Sequence, residues 1–531
     1  MLRAALVLAF VLLSGSHARA QPSRAASGPT APPPSLVVLI TVDQLRGDYL
    51  DRFASQLNGG FGRLARGGAW FTNAHHDHAI TETAPGHATL LSGRFPRSTG
   101  ISANDAGVFD KASPLLDAPV GTVGGASPGR FQGSTLVDWL RDKDSRSRAL
   151  SVSMKDRGAI LSVGRSRAEV YWYLPDGRFT TSRYYRDSLP DWVRRFNARR
   201  LPQSYAGKSW VPMLPDSAYQ EADSVDLESG GIEPAFPHSL PTDSAAAAGH
   251  VRVTPWMDDV TLALALDGLR ELSLGTGSQA DLLAVSLSAT DPIGHTYGPD
   301  SKEIHDQMLR LDRSLGVFFD SLFRVRDSLR VAIVLTSDHG VGRIPELAAA
   351  APGSLTARVN LVAPVARLRA RLLELGLPPD AVDVNQRTVR VNRTRVRGKD
   401  AAIDAALDAF AGEASRVPGV ARVDRFRNLI GRDTLTDPVA RRWSHQFPPK
   451  NGVELAITLT PFSIFGTIVA THGSPYDYDT HVPLIFYGPA FTPGRYPEFV
   501  RTVDLAPTLA QITGVVAAEK LDGVALKQAI R

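Results

Sequence analysis

Three hydrophobic runs in this 531-residue chain each end in an aspartate, and two of these aspartates have a histidine within four residues. Apolar, β-branched runs of this length predict buried parallel strands. Ligands gather at the carboxyl ends of strands in open α/β sheets, so these residues predict one site with more than one metal ion. A single run of this kind would indicate only a strand and a capped turn. The residues are Asp43, Asp291 with His295, and Asp338 with His339.

Asp291 and His295 need a third protein ligand, and the segment 471–488 offers two histidines. His481 stands immediately before an apolar strand pattern and is the expected ligand. His472 is the alternative, although its glycine-rich surroundings favour a supporting role. A third group of histidines, at positions 75, 76 and 78, is expected to be structural or supporting, because adjacent side chains diverge.

Thr83 is a candidate nucleophile. Pro85 fits the first turn of a helix, which places Thr83 at the helix start, where free N–H groups and the helix dipole favour an anion. An ordinary N-cap threonine is the alternative. Beside metal ligands, however, a cation can hold the hydroxyl as an alkoxide without a neighbouring base.

Two further segments could supply hydrogen-bond donors to an anion at this site. Lys155 and Arg157 follow a predicted strand at 149–154 and form either an oxyanion clamp or a surface ion-pair patch with Asp156. Asn104 lies on a loop that could return its amide towards Thr83. None of these three is specific when taken alone.

Positioning these groups requires an α/β fold with a mostly parallel central sheet and helices on both faces. The apolar runs place this catalytic domain at residues 36–531. Between about 361 and 433 the composition changes to two amphipathic helices around a short strand, which predicts a small inserted α/β subdomain.

The N-terminus predicts export. Residues 1–20 combine Arg3, an apolar run and a small-residue end at Ala20, which is typical of a cleaved secretory signal peptide, and 21–35 reads as a disordered linker. We expect a periplasmic or secreted bacterial protein without a membrane span, and a monomer. The formal charge of only +5 argues against nucleic acid as a partner, and the absence of cysteine excludes disulfides and thiolate ligands.

Taken together, these motifs resemble the alkaline phosphatase superfamily, and within it the threonine-nucleophile, phosphate-irrepressible bacterial alkaline phosphatases, near the nucleotide pyrophosphatase/phosphodiesterase branch. The resemblance covers the blocks 36–105, 149–185, 281–345 and 471–510. It implies two Zn²⁺ ions and a phosphothreonine intermediate at Thr83. The implied ligands are Asp291, His295 and His481 for one ion, and Asp43, Asp338, His339 and Thr83 for the other.

The same resemblance bears on the substrate. Asn104, twenty-one residues after Thr83, and the Lys155-x-Arg157 pair match the monoesterase branch. They imply small phosphate monoesters as substrates and inorganic phosphate as product. Phosphodiesterases share the metals and the threonine and remain the alternative. Sulfatases do not match this chain, because they need a cysteine- or serine-derived nucleophile. The related mutases do not match either, because they use serine and manganese. A non-catalytic phosphate-binding protein would be expected to have lost a ligand or the nucleophile.

Overall fold

The computed structural model describes residues 32–122, 124–432 and 436–531 of the chain. The predicted signal peptide and the linker up to residue 31 lie outside the described residues. The strands are β1 (Leu36–Val42), β2 (Ala69–His75), β3 (Phe109–Pro114), β4 (Gly125–Ala126), β5 (Ala149–Ser153), β6 (Glu169–Tyr173), β7 (Phe179–Thr180), β8 (Ser209–Trp210), β9 (His238–Ser239), β10 (Asp281–Leu287), β11 (Val331–Thr336), β12 (Arg358–Val359), β13 (Val382–Val384), β14 (Thr388–Val391), β15 (Val420–Arg425), β16 (Val453–Leu459), β17 (Ile464–Phe465), β18 (His481–Tyr487) and β19 (Gly494–Arg501).

Helices connect and cover these strands. They are α1 (Tyr49–Arg52), α2 (Gly60–Gly67), α3 (Thr83–Leu90), α4 (Pro96–Thr99), α5 (Leu136–Lys143), α6 (Asp156–Leu161), α7 (Asp191–Ala198), α8 (Ser244–His250), α9 (Trp256–Glu271), α10 (Thr290–Tyr297), α11 (Lys302–Val325), α12 (Pro345–Ala349), α13 (Val362–Glu374), α14 (Asp400–Ala414), α15 (Pro438–Gln446), α16 (Asp477–Thr480) and α17 (Leu505–Thr513). Among the described residues, no helix is both long and apolar enough to cross a membrane.

Nine strands form the central sheet, in the order β19-β2-β18-β11-β1-β10-β5-β6-β7. Strand β1 pairs in parallel with β10 and with β11, while β18 is antiparallel to both of its neighbours. The predicted mostly parallel α/β sheet is therefore confirmed. Val42 aligns with Leu287, and Thr41 aligns with Thr336, so the three predicted strands end level with one another.

Alternate residues of the central strands serve two separate cores, as expected for a sheet covered on both faces. Val38 and Ile40 pack on one face with the long helices α9 and α11. Val37 and Leu39 pack on the other face with α3, α5, α6 and α17. Because both faces are buried, the polar residues after each strand are confined to the sheet edge.

The inserted subdomain has its own sheet and its own core. Its four strands follow the order β13-β14-β16-β15, and Leu368, Leu407 and Phe410 are among its buried side chains. The sheet takes its strand β16 from beyond the predicted range 361–433, because Val453–Leu459 pairs with both β14 and β15. The hairpin between β13 and β14 reaches towards the edge of the central sheet where the aspartates lie.

Candidate active site

The level ends of β1, β10 and β11 bring the predicted carboxylates together. Asp43 directly follows β1, Asp338 and His339 follow β11 with one residue between, and Asp291 lies in the first turn of α10 after β10. Asp43, Asp338 and His339 are fully buried and offer ligand atoms within 4.8 Å of one another. A second group with the same spacing consists of Asp291, His339 and His472.

Two histidines face one oxygen of Asp291. His295 lies one helical turn after Asp291 on α10, and its Nε2 is 3.2 Å from Asp291 Oδ1. His472 comes from the glycine-rich loop before α16, and its Nε2 is 3.5 Å from the same oxygen. The His472 ring also stacks on the His339 ring, with centroids 3.6 Å apart, so it joins both groups.

The structure does not bring His481 into this cluster, and the prediction that it completes the Asp291 site is corrected. Strand β18 begins at the expected edge of the sheet, but the His481 ring stacks on His75 across the β2–β18 pair. Its Nε2 lies 2.9 Å from the carbonyl oxygen of Thr72. His472 takes the position instead because its loop folds back over the strand ends.

The imidazoles of the cluster are all oriented in the same way. Nδ1 of His295 lies 2.7 Å from the carbonyl of Ala470, and Nδ1 of His472 lies 2.8 Å from the carbonyl of Thr81. His339 Nδ1 is similarly 3.0 Å from the carbonyl of Gly340. A carbonyl accepts only, so each ring in its neutral form would donate from Nδ1 and present the lone pair of Nε2 to the carboxylates. Lone pairs facing carboxylate oxygens are the arrangement that a divalent cation stabilises.

The surroundings of the buried carboxylates likewise favour a bound cation. Both oxygens of Asp43 and Oδ2 of Asp338 are buried, and nitrogens of Lys155, His339 and His87 lie 2.6, 3.4 and 3.2 Å from them. Burial and the negative charge of Asp338 raise the pKa of Asp43 well above its ordinary value. Two buried carboxylates that raise each other's energy are costly unless one is protonated or they bind a cation. Nitrogen and oxygen donors without sulfur fit zinc, so the residues present suit the implied metal.

Thr83 and Lys155 lie between the two ligand groups. Thr83 is the first residue of α3, and Glu82 holds the N-cap position, so Thr83 is not the cap itself. The Thr83 hydroxyl oxygen is 3.5 Å from His339 Nε2 and 3.4 Å from Lys155 Nζ. Lys155 Nζ lies 2.6 Å from a carboxylate oxygen of Asp43 and 2.6 Å from one of Asp291. Although burial opposes it, these carboxylates raise the pKa of Lys155, which therefore stays charged.

The other two predicted donors flank this centre. Asn104 Oδ1 accepts a hydrogen bond of 2.9 Å from the backbone N–H of Ala84, which leaves the amide nitrogen as a donor beside Thr83. Arg157 lies in the first turn of α6, and its positive charge is close enough to act on the pKa of Lys155. The structure thus brings Asn104 and Lys155 to the start of α3 beside Thr83, and Arg157 to the neighbourhood of Lys155.

Two residues that contact the site were not predicted from the sequence. Gln44 donates from Nε2 to Asp291 Oδ1 at 2.8 Å and from its backbone N–H to Asp338 Oδ1 at 3.2 Å. His87 Nδ1 lies 2.9 Å from the Thr83 carbonyl and 3.2 Å from Asp338 Oδ2. The available signal was position, because Gln44 adjoins Asp43 and His87 is one helical turn after Thr83.

Comparisons with known proteins identify the family of the chain. The family model for type I phosphodiesterase / nucleotide pyrophosphatase matches residues 37–401. Alkaline phosphatase PafA of Elizabethkingia meningoseptica is 30% identical over 91% of this chain and 92% of its own length. Alkaline phosphatase PhoV of Synechococcus elongatus is 31% identical over 96% of each. The crystal structure of wild-type PafA superposes with a TM-score of 0.86 at 27% identity, covering 94% of this chain and 99% of that chain. Murine ectonucleotide pyrophosphatase / phosphodiesterase 5 shares the fold, with a TM-score of 0.51 at 15% identity.

Proposed function

The chain belongs to the type I phosphodiesterase / nucleotide pyrophosphatase family, and from this premise we propose that it is a zinc-dependent alkaline phosphatase that hydrolyses phosphate monoesters. The observation that carries the proposal is the position of Thr83 and Lys155 between two groups of buried carboxylates and imidazoles. The alkaline phosphatases PafA and PhoV match more than nine-tenths of the chain, which supports the same activity. The family membership also confirms the resemblance predicted from the motifs.

Two zinc ions would be held by two sets of side chains. When bound, zinc would favour ionisation of the Thr83 hydroxyl and of a water and would stabilise the leaving oxygen. The direction of each Nε2 lone pair supports both sets, since every histidine that we assign faces a carboxylate oxygen. The sets are Asp291, His295 and His472 for one ion, and Asp43, Asp338 and His339 with Thr83 for the other.

The chain's own residues account for the steps at phosphorus. The Thr83 hydroxyl loses its proton, and its oxygen forms a bond to phosphorus while the ester oxygen departs with its bonding electrons and takes up a proton. Water then attacks the phosphothreonine, which releases inorganic phosphate and restores Thr83. The positive end of the α3 dipole favours the anion in both steps.

Three donors make the site suited to a monoester. A monoester carries one more negative charge on its phosphoryl group than a diester does, and that charge is stabilised by additional cations and N–H donors. Lys155, Arg157 and the amide of Asn104 would supply them, and the positions of Lys155 and Asn104 beside Thr83 and Ala84 support these roles. Phosphodiester hydrolysis is the second candidate, since the family model is named for that activity.

The cellular setting is a further part of the proposal. We propose that the protein is exported to the periplasm or the exterior after cleavage near Ala20 and that it acts as a monomer on small phosphorylated molecules. The sequence pattern of residues 1–20 supports export.

Substitution of the nucleophile tests the proposal. Thr83→Ala is expected to abolish turnover of p-nitrophenyl phosphate by the zinc-loaded protein while zinc content, measured by mass spectrometry, is unchanged. Thr83→Ser is the matched control, because it keeps a hydroxyl at the same position and should retain activity. Undiminished turnover by Thr83→Ala would rule out the phosphothreonine mechanism.

A further inference from the structure

Arg387, at the tip of the β13–β14 hairpin, connects the inserted subdomain to segments that carry site residues. The hairpin turn is fixed by Asn385, whose Oδ1 accepts hydrogen bonds from the backbone N–H groups of Arg387 and Thr388 at 2.9 and 2.7 Å. The Arg387 carbonyl accepts a further bond of 2.8 Å from the N–H of Ile457 on β16. The backbone that carries the guanidinium is therefore held on both sides.

The Arg387 guanidinium contacts two segments that carry site residues. One nitrogen donates to Glu82 Oε1 at 2.8 Å, and the other donates to the carbonyl oxygen of His472 at 3.1 Å. Gly473 makes room for it, since a Cβ at this position would lie 2.3 Å from a guanidinium nitrogen, and its φ of +104° is one that residues with a side chain rarely adopt. The contact is largely shielded from water, with 26% of the Arg387 side chain and 14% of the Glu82 side chain exposed.

Glu82 links Arg387 to Asn104, whose side-chain amide is a proposed donor to the phosphoryl group. Its second oxygen accepts a hydrogen bond of 2.8 Å from the backbone N–H of Asn104. Asn104 in turn accepts from Ala84 N–H, which fixes the direction of its amide nitrogen. Arg387, Glu82 and Asn104 thus form a continuous series of hydrogen bonds around Thr83.

The charges in this series have a direct bearing on the substrate. Glu82 is adjacent to Thr83 in sequence, so an unpaired carboxylate there would repel the dianionic phosphoryl group of a monoester. Arg387 offsets that charge as well as holding the carboxylate in place. A diester phosphoryl group carries one charge fewer and would be less affected.

We infer that Arg387 is a positioning residue through which the inserted subdomain sets the Asn104 amide and offsets the charge of Glu82, thereby favouring monoesters over diesters. The inference rests on the proposed function. It assigns a role to a subdomain that supplies neither a proposed metal ligand nor the proposed nucleophile.

The test compares kcat/KM of zinc-loaded variants on p-nitrophenyl phosphate and bis-p-nitrophenyl phosphate. Arg387→Ala should lower the monoester value by roughly tenfold to hundredfold, the effect of losing a charge-assisted hydrogen bond, and the diester value by much less. Arg387→Lys should retain part of the monoester activity because it keeps the charge. Arg395→Ala is the matched control, since Arg395 belongs to the same subdomain but forms an exposed ion pair with Asp380.

Two double variants separate positioning from general damage. Arg387→Ala should have a smaller effect in an Asn104→Ala background, because the part of its effect that acts through that amide is already lost. Glu82→Gln should restore part of the monoester activity of Arg387→Ala, because it removes the unpaired charge. Equal losses on both esters, or a full additional loss in the Asn104→Ala background, would overturn the inference. A wild-type protein that fails to turn over the monoester would instead overturn the proposed function.

Discussion

Replacement of His472 by alanine should remove one zinc ion, whereas replacement of His481 should not. His472 Nε2 faces Asp291 Oδ1 at 3.5 Å, and only Asp291 and His295 would remain after its loss. Structural zinc sites bind with about 10–16 kcal/mol over four ligands, which is about 2.5–4 kcal/mol for each ligand. The affinity of that ion should therefore fall by about 100- to 1,000-fold.

The assay is zinc stoichiometry by mass spectrometry after dialysis against a zinc buffer, together with kcat/KM for p-nitrophenyl phosphate. His472→Ala should fall from two ions to one and lose most of its activity. His481→Ala is the matched control, since its ring packs on His75 at the start of β18. The ligand assignment made from the side-chain directions would be refuted if His481→Ala lost a zinc ion while His472→Ala retained two.

Other expectations concern the metals and a buried acid. Chelation should lower the midpoint of thermal unfolding, and added zinc should restore it. The reason is that zinc at 100 times its Kd stabilises the fold by about 2.7 kcal/mol per site. A midpoint that does not change when the chelator is added would contradict metal binding by the buried carboxylates. Burial, followed by the charges of Glu303 and Asp223, raises the pKa of Glu228 to about 9 from its ordinary 4.5. The folded protein then binds the extra proton between these values, so the free energy of unfolding should fall as pH rises through this window, by at most about 1.4 kcal/mol per pH unit. Glu228→Gln should flatten that slope in urea titrations, and an unchanged slope would contradict the shift.

The sequence was sufficient for the features that depend on neighbouring residues. The apolar runs before Asp43, Asp291 and Asp338 predict three strands, and parallel strands in one sheet must end at one edge. His295 and His339 follow because each lies within a turn of its aspartate. These local patterns were enough to locate the sheet and most of the proposed site.

Features that depend on distant segments could not be predicted in the same way. The sequence places both His472 and His481 near the right edge, and only the direction in which each side chain points distinguishes them. The pairing of Arg387 with Glu82 joins residues 305 positions apart, and neither residue stands in a recognisable motif. The fourth strand of the inserted sheet was likewise missed because it follows a long excursion through α15.

The most direct test of the central claim is the ratio of kcat/KM values for p-nitrophenyl phosphate and bis-p-nitrophenyl phosphate in the zinc-loaded mature protein. The proposed function predicts a strong preference for the monoester. That preference should fall when Lys155 is replaced by alanine, because removal of such a donor typically costs about 10²–10³ in rate. A preference for the diester that is indifferent to Lys155 would contradict the account and assign the protein to phosphodiester hydrolysis.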